Sequence, residues 1–332
     1  MAIRNKQWLL ASRPSAWAAE ANFKLTETDL PAVGDGQLTV KVHYLSLDPY
    51  MRGRMGEAKS YAPPQPLNEV MIGATVGEVI ESKHAKYRPG DMVVGMGGWQ
   101  QYYLSEGGGE MKVDVRAIPP SVYLGSVGMP GVTAWYGLNR IGKPGAGETV
   151  VVSAASGAVG SVVGQLAKLA GCRAVGIAGG KMKCDYVVDE LNFDACVDYK
   201  AEGFRDQFKT ATPDGIDIVF ENVGGEVFDA ALQRMNAFGR IAVCGLIAGY
   251  NGQDIGIRNV RSILTNRLSI EGFIVSEHMD IWPQALKELG GHVAQGKIKY
   301  RESVAQGIES APKAFIGLLK GENLGKQLVK MV

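Results

Sequence analysis

Short stretches of alternating apolar and polar residues, separated by turn residues, fill the first third of the chain. Residues 38–45 (LTVKVHYL) alternate with a period of two, which is typical of a half-buried β-strand, and the turn residues GDG precede them at 34–36. Further strands are predicted at residues 71–81, 92–95 and 101–104. The pattern predicts a compact β-barrel-like domain that ends near residue 125.

The periodicity changes after residue 125. A helix is predicted to begin near the Pro130–Gly131 pair, and from Glu148 onwards apolar strand patterns alternate with helical ones, which predicts a parallel sheet. The six predicted strands are residues 150–153, 173–178, 195–198, 216–220, 240–244 and 268–273, the number found in a doubly wound dinucleotide-binding fold. Helices are predicted near residues 161–170, 184–191, 203–210, 226–236 and 281–295.

The length of the chain favours two domains, because 332 residues exceed what one hydrophobic core supports. We expect a first domain of residues 1–125, joined by the tail 298–332, and a second domain of residues 126–297.

A glycine-rich turn follows the first predicted parallel strand. In residues 154–164 (AASGAVGSVVG), Gly157 would let the backbone approach a phosphate, and Gly160 and Gly164 would let the helix pack near the strand. The free N–H groups at the start of that helix would bind an anion. Ala155 replaces the usual first glycine, so the prediction of a dinucleotide site depends on the strand–turn–helix context as well as on the motif.

The residues at the end of the second parallel strand indicate which dinucleotide the site would bind. An NAD site usually places an acid about 20 residues after the glycines, where it binds the ribose 2′-hydroxyl. Residues 178–183 read AGGKMK and contain Lys181 and Lys183 but no acid. A 2′-phosphate would be attracted there, so NADPH is favoured over NADH. The alternative is a pair of solvated lysines on a surface loop.

The composition of the chain argues against several classes of binding partner and against a zinc site. A net charge of +1, from 35 basic and 34 acidic residues, argues against nucleic acid, and no apolar stretch is long enough to span a membrane. The amino terminus lacks the apolar core of a signal peptide, so a cytoplasmic protein is expected. The four cysteines and four histidines form no zinc-binding motif, and Cys172, Cys196 and Cys244 are expected to pack as small apolar residues.

Six segments together resemble the medium-chain dehydrogenase/reductase superfamily, and within it the zinc-free double-bond reductases, such as prostaglandin reductases and bacterial NADPH-dependent curcumin reductases. The segments are residues 44–55, 128–134, 154–164, 221–225, 244–251 and 318–326. The resemblance implies an α/β protein with a GroES-like β-barrel catalytic domain and a doubly wound, six-stranded parallel Rossmann domain. It implies reduction of the C=C bond of α,β-unsaturated carbonyl compounds without a metal, and a homodimer formed through residues 268–275.

The same resemblance implies a set of NADPH-binding residues. The nicotinamide side and the pyrophosphate would be contacted by Thr133, Gly157, Ala158, Val159 and Gly160, and the 2′-phosphate by Lys183 and Tyr199. Along the length of the cofactor would lie Asn222, Cys244, Gly245 and Tyr250. The carboxamide would be bound by the backbone of Phe273, Ile274 and Val275, and Asn323 would reach back from the tail. Asn222 has an alternative role as the N-cap of the following helix.

Two tyrosines are candidates for the chemistry. Hydride addition to the β-carbon of an enone puts negative charge on the carbonyl oxygen, and a phenol, protonated at neutral pH, can stabilise that charge or donate the proton. Tyr250 is the first candidate and Tyr50 the second. Tyr250 could instead be a surface-loop residue, and Tyr50 could only pack between the domains. Arg52 and Arg54 could pair with Asp48 or Glu57 and only fix the loop.

Other function classes stay open. Quinone reduction is an alternative that the segments LDPYMR (47–52) and GYN (249–251) argue against, and the missing ligands disfavour a zinc alcohol dehydrogenase. A non-catalytic NADPH-binding protein is the alternative outside the enzymes, and the two tyrosines argue for chemistry instead. Alkenals, cyclic enones and bulky diarylheptanoids all fit as the small-molecule substrate.

Overall fold

The computed structural model describes residues 3–331, and these form two compact units. Unit 1 is made of the chain up to Leu124, Glu302–Asn323 and the chain from Gln327 onwards. Unit 2 is made of Gly125–Arg301 together with the short tail segment Leu324–Lys326.

Antiparallel strands build the amino-terminal part of unit 1. They are β1 (Arg4–Leu10), β2 (Phe23–Asp29), β3 (Leu38–Ser46), β4 (Thr75–Ser82), β5 (Met92–Gly95), β6 (Tyr102–Ser105) and β7 (Met111–Lys112). The predicted strand at 71–81 begins only at Thr75, because Met71 instead exchanges backbone hydrogen bonds with Trp8 and Trp99. The short helix α1 (Tyr50–Arg54) follows β3.

A six-stranded parallel sheet forms the centre of unit 2, as the alternating pattern predicted. Its strands are β8 (Thr149–Ser153), β9 (Arg173–Ala178), β10 (Ala195–Asp198), β11 (Ile216–Glu221), β12 (Met235–Val243) and β13 (Ser269–Gly272), in the spatial order β10-β9-β8-β11-β12-β13. This is the doubly wound arrangement, in which the strand order reverses between the neighbouring strands β8 and β11. The carboxyl ends of β8 and β11 therefore mark the place where ligands bind in such sheets.

Helices connect these strands. They are α2 (Met129–Tyr136), α3 (Gly160–Leu169), α4 (Lys181–Asp185), α5 (Phe204–Ala211), α6 (Gly225–Leu232), α7 (Arg261–Thr265) and α8 (Trp282–Ala294). The predicted helix at 226–236 is too long: α6 ends at Leu232, and Met235 already pairs with Ile216 as the first residue of β12. The predicted helix at 184–191 is the later part of a helical segment that begins with α4 and continues through Tyr186–Glu190.

The chain then returns to unit 1 through β14 (Glu302–Gln306), α9 (Ala311–Leu319) and β15 (Lys326–Lys330). β15 pairs with β3, so the larger sheet of this unit has the order β14-β15-β3-β4-β5-β7, with β6 also on β3. Phe315 of α9 packs edge-on against Trp99, which stacks on Phe23, so the tail helix fills the core of the first unit. Within residues 3–331, no helix has the length and apolar character needed to cross a membrane.

Both faces of the parallel sheet are buried. Val150 and Val152 of β8 belong to one apolar cluster, and Val151 belongs to the cluster on the opposite face. This two-sided burial explains why the strands of unit 2 are continuous apolar runs in the sequence, whereas the strands of unit 1 alternate.

Candidate functional site

The turn between β8 and α3 is shaped by glycine. A Cβ atom at Gly160 would lie 2.4 Å from the carbonyl oxygen of Ala154, and one at Gly164 would lie 1.8 Å from the ring of Phe193. Both positions therefore require glycine for close packing, as the motif predicted. The left-handed residue of the turn is Ala154, with φ +50°, whereas Ala155 donates its N–H to Ile177. Ala155 is tolerated at the usual first glycine because its own φ is not positive.

The tail segment closes this turn. Gly325 donates its N–H to the carbonyl oxygen of Ser156 at 2.9 Å and forms an isolated bridge with Gly157. A Cβ at Gly325, where φ is +70°, would lie 2.0 Å from the carbonyl oxygen of Arg301. The predicted residue Asn323 belongs to unit 1 and stands two positions before this bridge.

The end of β9 brings together a tyrosine and two lysines. A Cβ at Gly179 would lie 2.9 Å from the Tyr199 ring and 3.1 Å from Cε of Lys200. Burial lowers the pKa of the Lys183 ammonium, and the charge of Lys200 lowers it further. Two cations thus lie near one another in a small space beside a phenol, which suits a dianionic phosphate.

The second lysine of the sequence prediction, Lys181, lies elsewhere. Its side chain is 86% exposed and pairs with Asp185 at 2.7 Å on the same helix. Asp198, the last residue of β10, accepts hydrogen bonds from the backbone N–H groups of Gly180 (2.8 Å) and Lys200 (2.9 Å). Its Oδ1 therefore fixes the turn.

Asn222 is tied to the end of the neighbouring strand. Its amide donates from Nδ2 to the carbonyl oxygen of Ser153 at 2.8 Å, and its backbone N–H donates to Oγ of Ser153 at 2.7 Å. The N-cap of α6 is Gly224, without a side-chain cap. The alternative role of Asn222 as an N-cap is therefore wrong, because its amide is held by β8 instead.

A buried carboxyl group, that of Glu221, accepts hydrogen bonds from the turn that follows β11. Oε1 of Glu221 accepts the backbone N–H groups of Val223 and Gly224, each at 2.6 Å, while Oε2 is buried without a hydrogen-bond partner in the described part of the chain. Burial raises the pKa of Glu221 to about 7, even though the N–H donors favour the ionised form. The sequence analysis missed this residue.

Tyr250 reaches the same edge of the sheet. A Cβ at Gly245 would lie 3.3 Å from the Tyr250 hydroxyl and 3.6 Å from the carbonyl oxygen of Asn222. The 3-10 turn Ile247–Gly249 positions the ring, which is half-buried. The hydroxyl therefore lies beside the strand ends, and the surface-loop alternative does not describe its position.

Cys244 precedes Gly245 and is fixed by its backbone, whose N–H donates to the carbonyl oxygen of Glu221 at 2.9 Å. Burial and the nearby Glu221 carboxyl raise the pKa of the Cys244 thiol to about 12. The thiol is therefore neutral at physiological pH and is a small, uncharged side chain at the carboxyl end of β12.

Thr133, Phe273, Ile274 and Val275 are further predicted cofactor-binding residues of unit 2. Thr133 is buried in α2, and its hydroxyl donates to the carbonyl oxygen of Met129 at 2.7 Å, which leaves the oxygen able to accept. The Phe273 ring packs in the core, 6.2 Å from the Phe220 ring. Ile274 and Val275 follow it, and the carbonyl oxygen of Val275 accepts Nε1–H of Trp282 at 3.3 Å.

Tyr50 lies in unit 1, where it packs against the apolar core. Burial and the charge of Asp48 raise the pKa of the Tyr50 phenol, so it stays protonated. Glu57 does not pair with the neighbouring arginines as expected, because its carboxylate pairs with Arg13 at 2.8 Å. The Arg52 guanidinium donates to the carbonyl oxygen of Ala16.

Lys200 and Glu221 are the site residues that sequence reasoning missed. Lys200 lies two residues after the end of β10, next to Tyr199, and a cation at the end of this strand was an available signal. Glu221 ends an apolar strand, and only its burial distinguishes it from a surface acid. Within residues 3–331 no group of three or more His, Cys, Asp or Glu side chains could hold a metal ion.

Comparison with known proteins adds to this geometry. Residues 6–113 match the family described as the N-terminal domain of oxidoreductase, and residues 158–290 match the family described as zinc-binding dehydrogenase. The chain is 46% identical to the NADPH-dependent curcumin reductase of Escherichia coli (strain K12), over 99% of this chain and 97% of that protein. It is 41% identical to the 2-alkenal reductase (NADP(+)-dependent) of Nicotiana tabacum, over 98% and 97%.

Among solved structures, the chain is similar to CurA in complex with NADPH from Vibrio vulnificus. The TM-score is 0.94 and the identity 46%, with 98% of this chain and 99% of that chain covered. These likenesses extend over both units and over the six segments singled out in the sequence. The chain belongs to the medium-chain dehydrogenase/reductase superfamily.

Proposed function

We propose that this protein is an oxidoreductase that reduces the C=C bond of α,β-unsaturated carbonyl compounds with NADPH, by hydride transfer to the β-carbon and without a metal ion. The observation that carries the proposal is the convergence of Lys183, Tyr199 and Lys200 beside the glycine turn, at one edge of the sheet. The curcumin and 2-alkenal reductases that this chain resembles over nearly its full length support it.

The described residues fit the cofactor. The pyrophosphate would lie at the N-terminus of α3, next to Gly157, which carries no side chain, and it would face the positive end of the helix dipole. Lys183 and Lys200 would neutralise the 2′-phosphate. When bound, NADPH supplies the hydride.

Tyr250 is the proposed donor to the substrate oxygen. Its hydroxyl lies beside Gly245, just after the carboxyl end of β12, where it can donate to the developing enolate. Tyr50 stays the second candidate for this donor, because its phenol is protonated and can donate a hydrogen bond. In this proposal unit 2 is the NADPH-binding domain and unit 1 the catalytic domain, and the enzyme is cytoplasmic, where reduced thiols such as its four free cysteines persist.

A substrate panel tests the proposed function. The protein, NADPH labelled with deuterium at the transferred position, and a 2-alkenal, a cyclic enone, curcumin or a simple quinone are combined, and products are identified by mass spectrometry and NMR. We expect saturated carbonyl products with deuterium at the β-carbon. Turnover of the quinone alone would favour quinone reduction, and NADPH binding without any turnover would favour a non-catalytic role.

The lysine assignment makes a separate prediction. Replacing Lys183 by Ala should weaken NADPH binding about tenfold, because one charge-assisted contact with the phosphate is lost in a half-buried place. NADH binding, which lacks that phosphate, should change less than about twofold. Fluorescence titration with both nucleotides gives the two dissociation constants.

Lys181→Ala is the matched control, because Lys181 lies on the same helix and pairs with Asp185. It should leave both dissociation constants near those of the wild type. Equal losses for NADPH and NADH in Lys183→Ala would remove Lys183 from the 2′-phosphate site.

We also propose a homodimer formed through β13. This strand is the edge of the parallel sheet, and all four of its residues are exposed. Its Ile270 and the nearby Leu264 are exposed apolar side chains, at 38% and 80%. An unpaired edge next to apolar side chains favours pairing with a second copy across a twofold axis.

Sedimentation tests the dimer. Ile270→Lys combined with Leu264→Glu should shift the wild-type dimer towards monomer, because both changes place charge at the edge of the sheet. Val304→Lys, on the edge strand β14 of the other sheet, is the control and should leave the assembly state unchanged. A monomeric wild type, or a dimer that survives the double variant, would contradict this interface.

A further inference from the structure

Two cysteines that the proposed reaction does not use lie next to each other in unit 2. Cys184 belongs to α4, and Cys196 belongs to β10, the edge strand on the side of the sheet away from β13. Each is partly exposed, and neither is in a disulfide. The sequence analysis assigned Cys196 to core packing.

The side of the strand on which Cys196 lies is fixed by alternation. Its neighbour Val197 packs in the cluster on one face of the sheet, and Cys196 packs against the cluster on the other face. Gly176 of β9 is its register partner, and a Cβ there would lie 3.1 Å from Sγ of Cys196 and 2.9 Å from Cγ1 of Val187. The sulfur therefore lies directly below the helical segment that carries Val187.

Cys184 lies on the helical segment that covers Cys196. It precedes Val187 by three residues in one continuous helical segment, so both side chains lie on the face that packs on the sheet. The two thiols are close enough to change each other's ionisation. This contact lowers the pKa of Cys184 and raises the pKa of Cys196, so Cys184 is the one that becomes the thiolate.

We propose that Cys184 and Cys196 are a reversible disulfide-forming site, oxidised by a hydroperoxide, and that the bond weakens NADPH binding. The Cys184 thiolate attacks the peroxide, so that an S–O bond forms, the O–O bond breaks and hydroxide leaves. The Cys196 thiol then attacks the sulfenic sulfur, the S–S bond forms, and the oxygen leaves as water with the thiol proton. For hydrogen peroxide, two thiols are oxidised and the peroxide is reduced to two waters.

The link to NADPH follows from the neighbours of the two cysteines and rests on the proposed cofactor site. Cys184 directly follows Lys183, and Cys196 lies on the strand that leads into Tyr199 and Lys200. A disulfide holds its sulfurs about 2.05 Å apart, closer than two unbonded thiols, so its formation must move α4 against β10. The helical segment that carries Cys184 begins without a side-chain cap, so it is the element that would move.

The first experiment detects the bond itself. The reduced protein without nucleotide is treated with hydrogen peroxide, blocked with iodoacetamide, and digested without reductant for mass spectrometry. We expect a peptide linked through Cys184 and Cys196 in the wild type and in the control Cys172→Ser, whose cysteine is buried elsewhere. Cys196→Ser should instead carry a sulfenic acid on Cys184 that dimedone traps, and Cys184→Ser should give neither product.

Recovery of both thiols unmodified, or a linkage between other cysteines, would overturn the site. Should Cys196→Ser fold poorly, Cys196→Ala provides the same test, because either variant removes the resolving thiol. None of these readouts depends on NADPH.

The second experiment measures NADPH binding to the reduced protein, the oxidised protein, and the oxidised protein after dithiothreitol. We expect the dissociation constant to rise about fivefold on oxidation and to return on reduction, and bound NADPH to slow disulfide formation because the coupling is reciprocal. Cys184→Ser should show no change with peroxide. An unchanged dissociation constant in a protein that carries the bond would overturn the link to the cofactor. A reduced protein that fails to bind NADPH would instead overturn the proposed function.

Discussion

Replacing Tyr250 by Phe should lower kcat for an enone about 100-fold and change the dissociation constant of NADPH by less than about threefold. The substitution keeps the ring and its packing and removes only the hydroxyl, which lies beside Gly245. A donor aimed at the oxygen on which charge develops stabilises the transition state more than the bound substrate. The loss therefore falls on kcat and leaves KM nearly unchanged.

Stopped-flow measurement of NADPH loss separates the hydride-transfer step from product release in this variant. Tyr186→Phe is the matched control, because Tyr186 is buried in the same unit and its hydroxyl has no hydrogen-bond partner among the described residues. It should react at the wild-type rate. If Tyr250→Phe also does, Tyr250 has no part in the chemistry, and Tyr50 becomes the leading candidate.

Stability should fall with rising pH in the range where Glu221 titrates. The pKa of Glu221 is raised from 4.5 to about 7 in the folded chain. Between these values the folded state holds a proton that the unfolded state has released, so the free energy of unfolding decreases as pH rises. A shift of this size corresponds to about 3 kcal/mol, fully lost once the pH exceeds the folded pKa.

Glu221→Gln should remove this pH dependence. Urea unfolding from about pH 5 to about pH 8 gives the free energy of unfolding for both proteins, and their difference isolates Glu221 from the other titrating groups. The difference should move by about 2.5 kcal/mol in favour of the variant across that range, because the rest of the effect falls outside it. Glu226→Gln, an exposed position on α6, is the control and should follow the wild type. Parallel curves for the wild type and Glu221→Gln would show that Glu221 does not titrate in this range.

The parallel sheet and its glycine turn could be predicted from the sequence because burial on both faces leaves continuous apolar runs. Residues 150–152 are three consecutive valines, and the structure buries all of them on two opposite faces. Gly160 and Gly164 could be predicted for the same local reason, since a helix that follows a strand closely has no room for side chains at those places.

What could not be predicted depends on partners distant in the chain. The end of α6 carries no glycine or proline, and the pairing of Met235 with Ile216 decides where the strand begins. Asn222 looks like a helix cap until Ser153 is placed next to it. Likewise the burial of Glu221, which raises its pKa, exists only once β11 lies between β8 and β12.

The bridge between Gly157 and Gly325 has a consequence for the order of events during synthesis. The glycine turn after β8 is completed by two stretches of chain that lie 168 positions apart in the sequence. A ribosome makes the amino-terminal stretch first. The nascent chain therefore carries an unfinished turn until residue 325 has been made, and coenzyme capture at this turn should follow that point of synthesis.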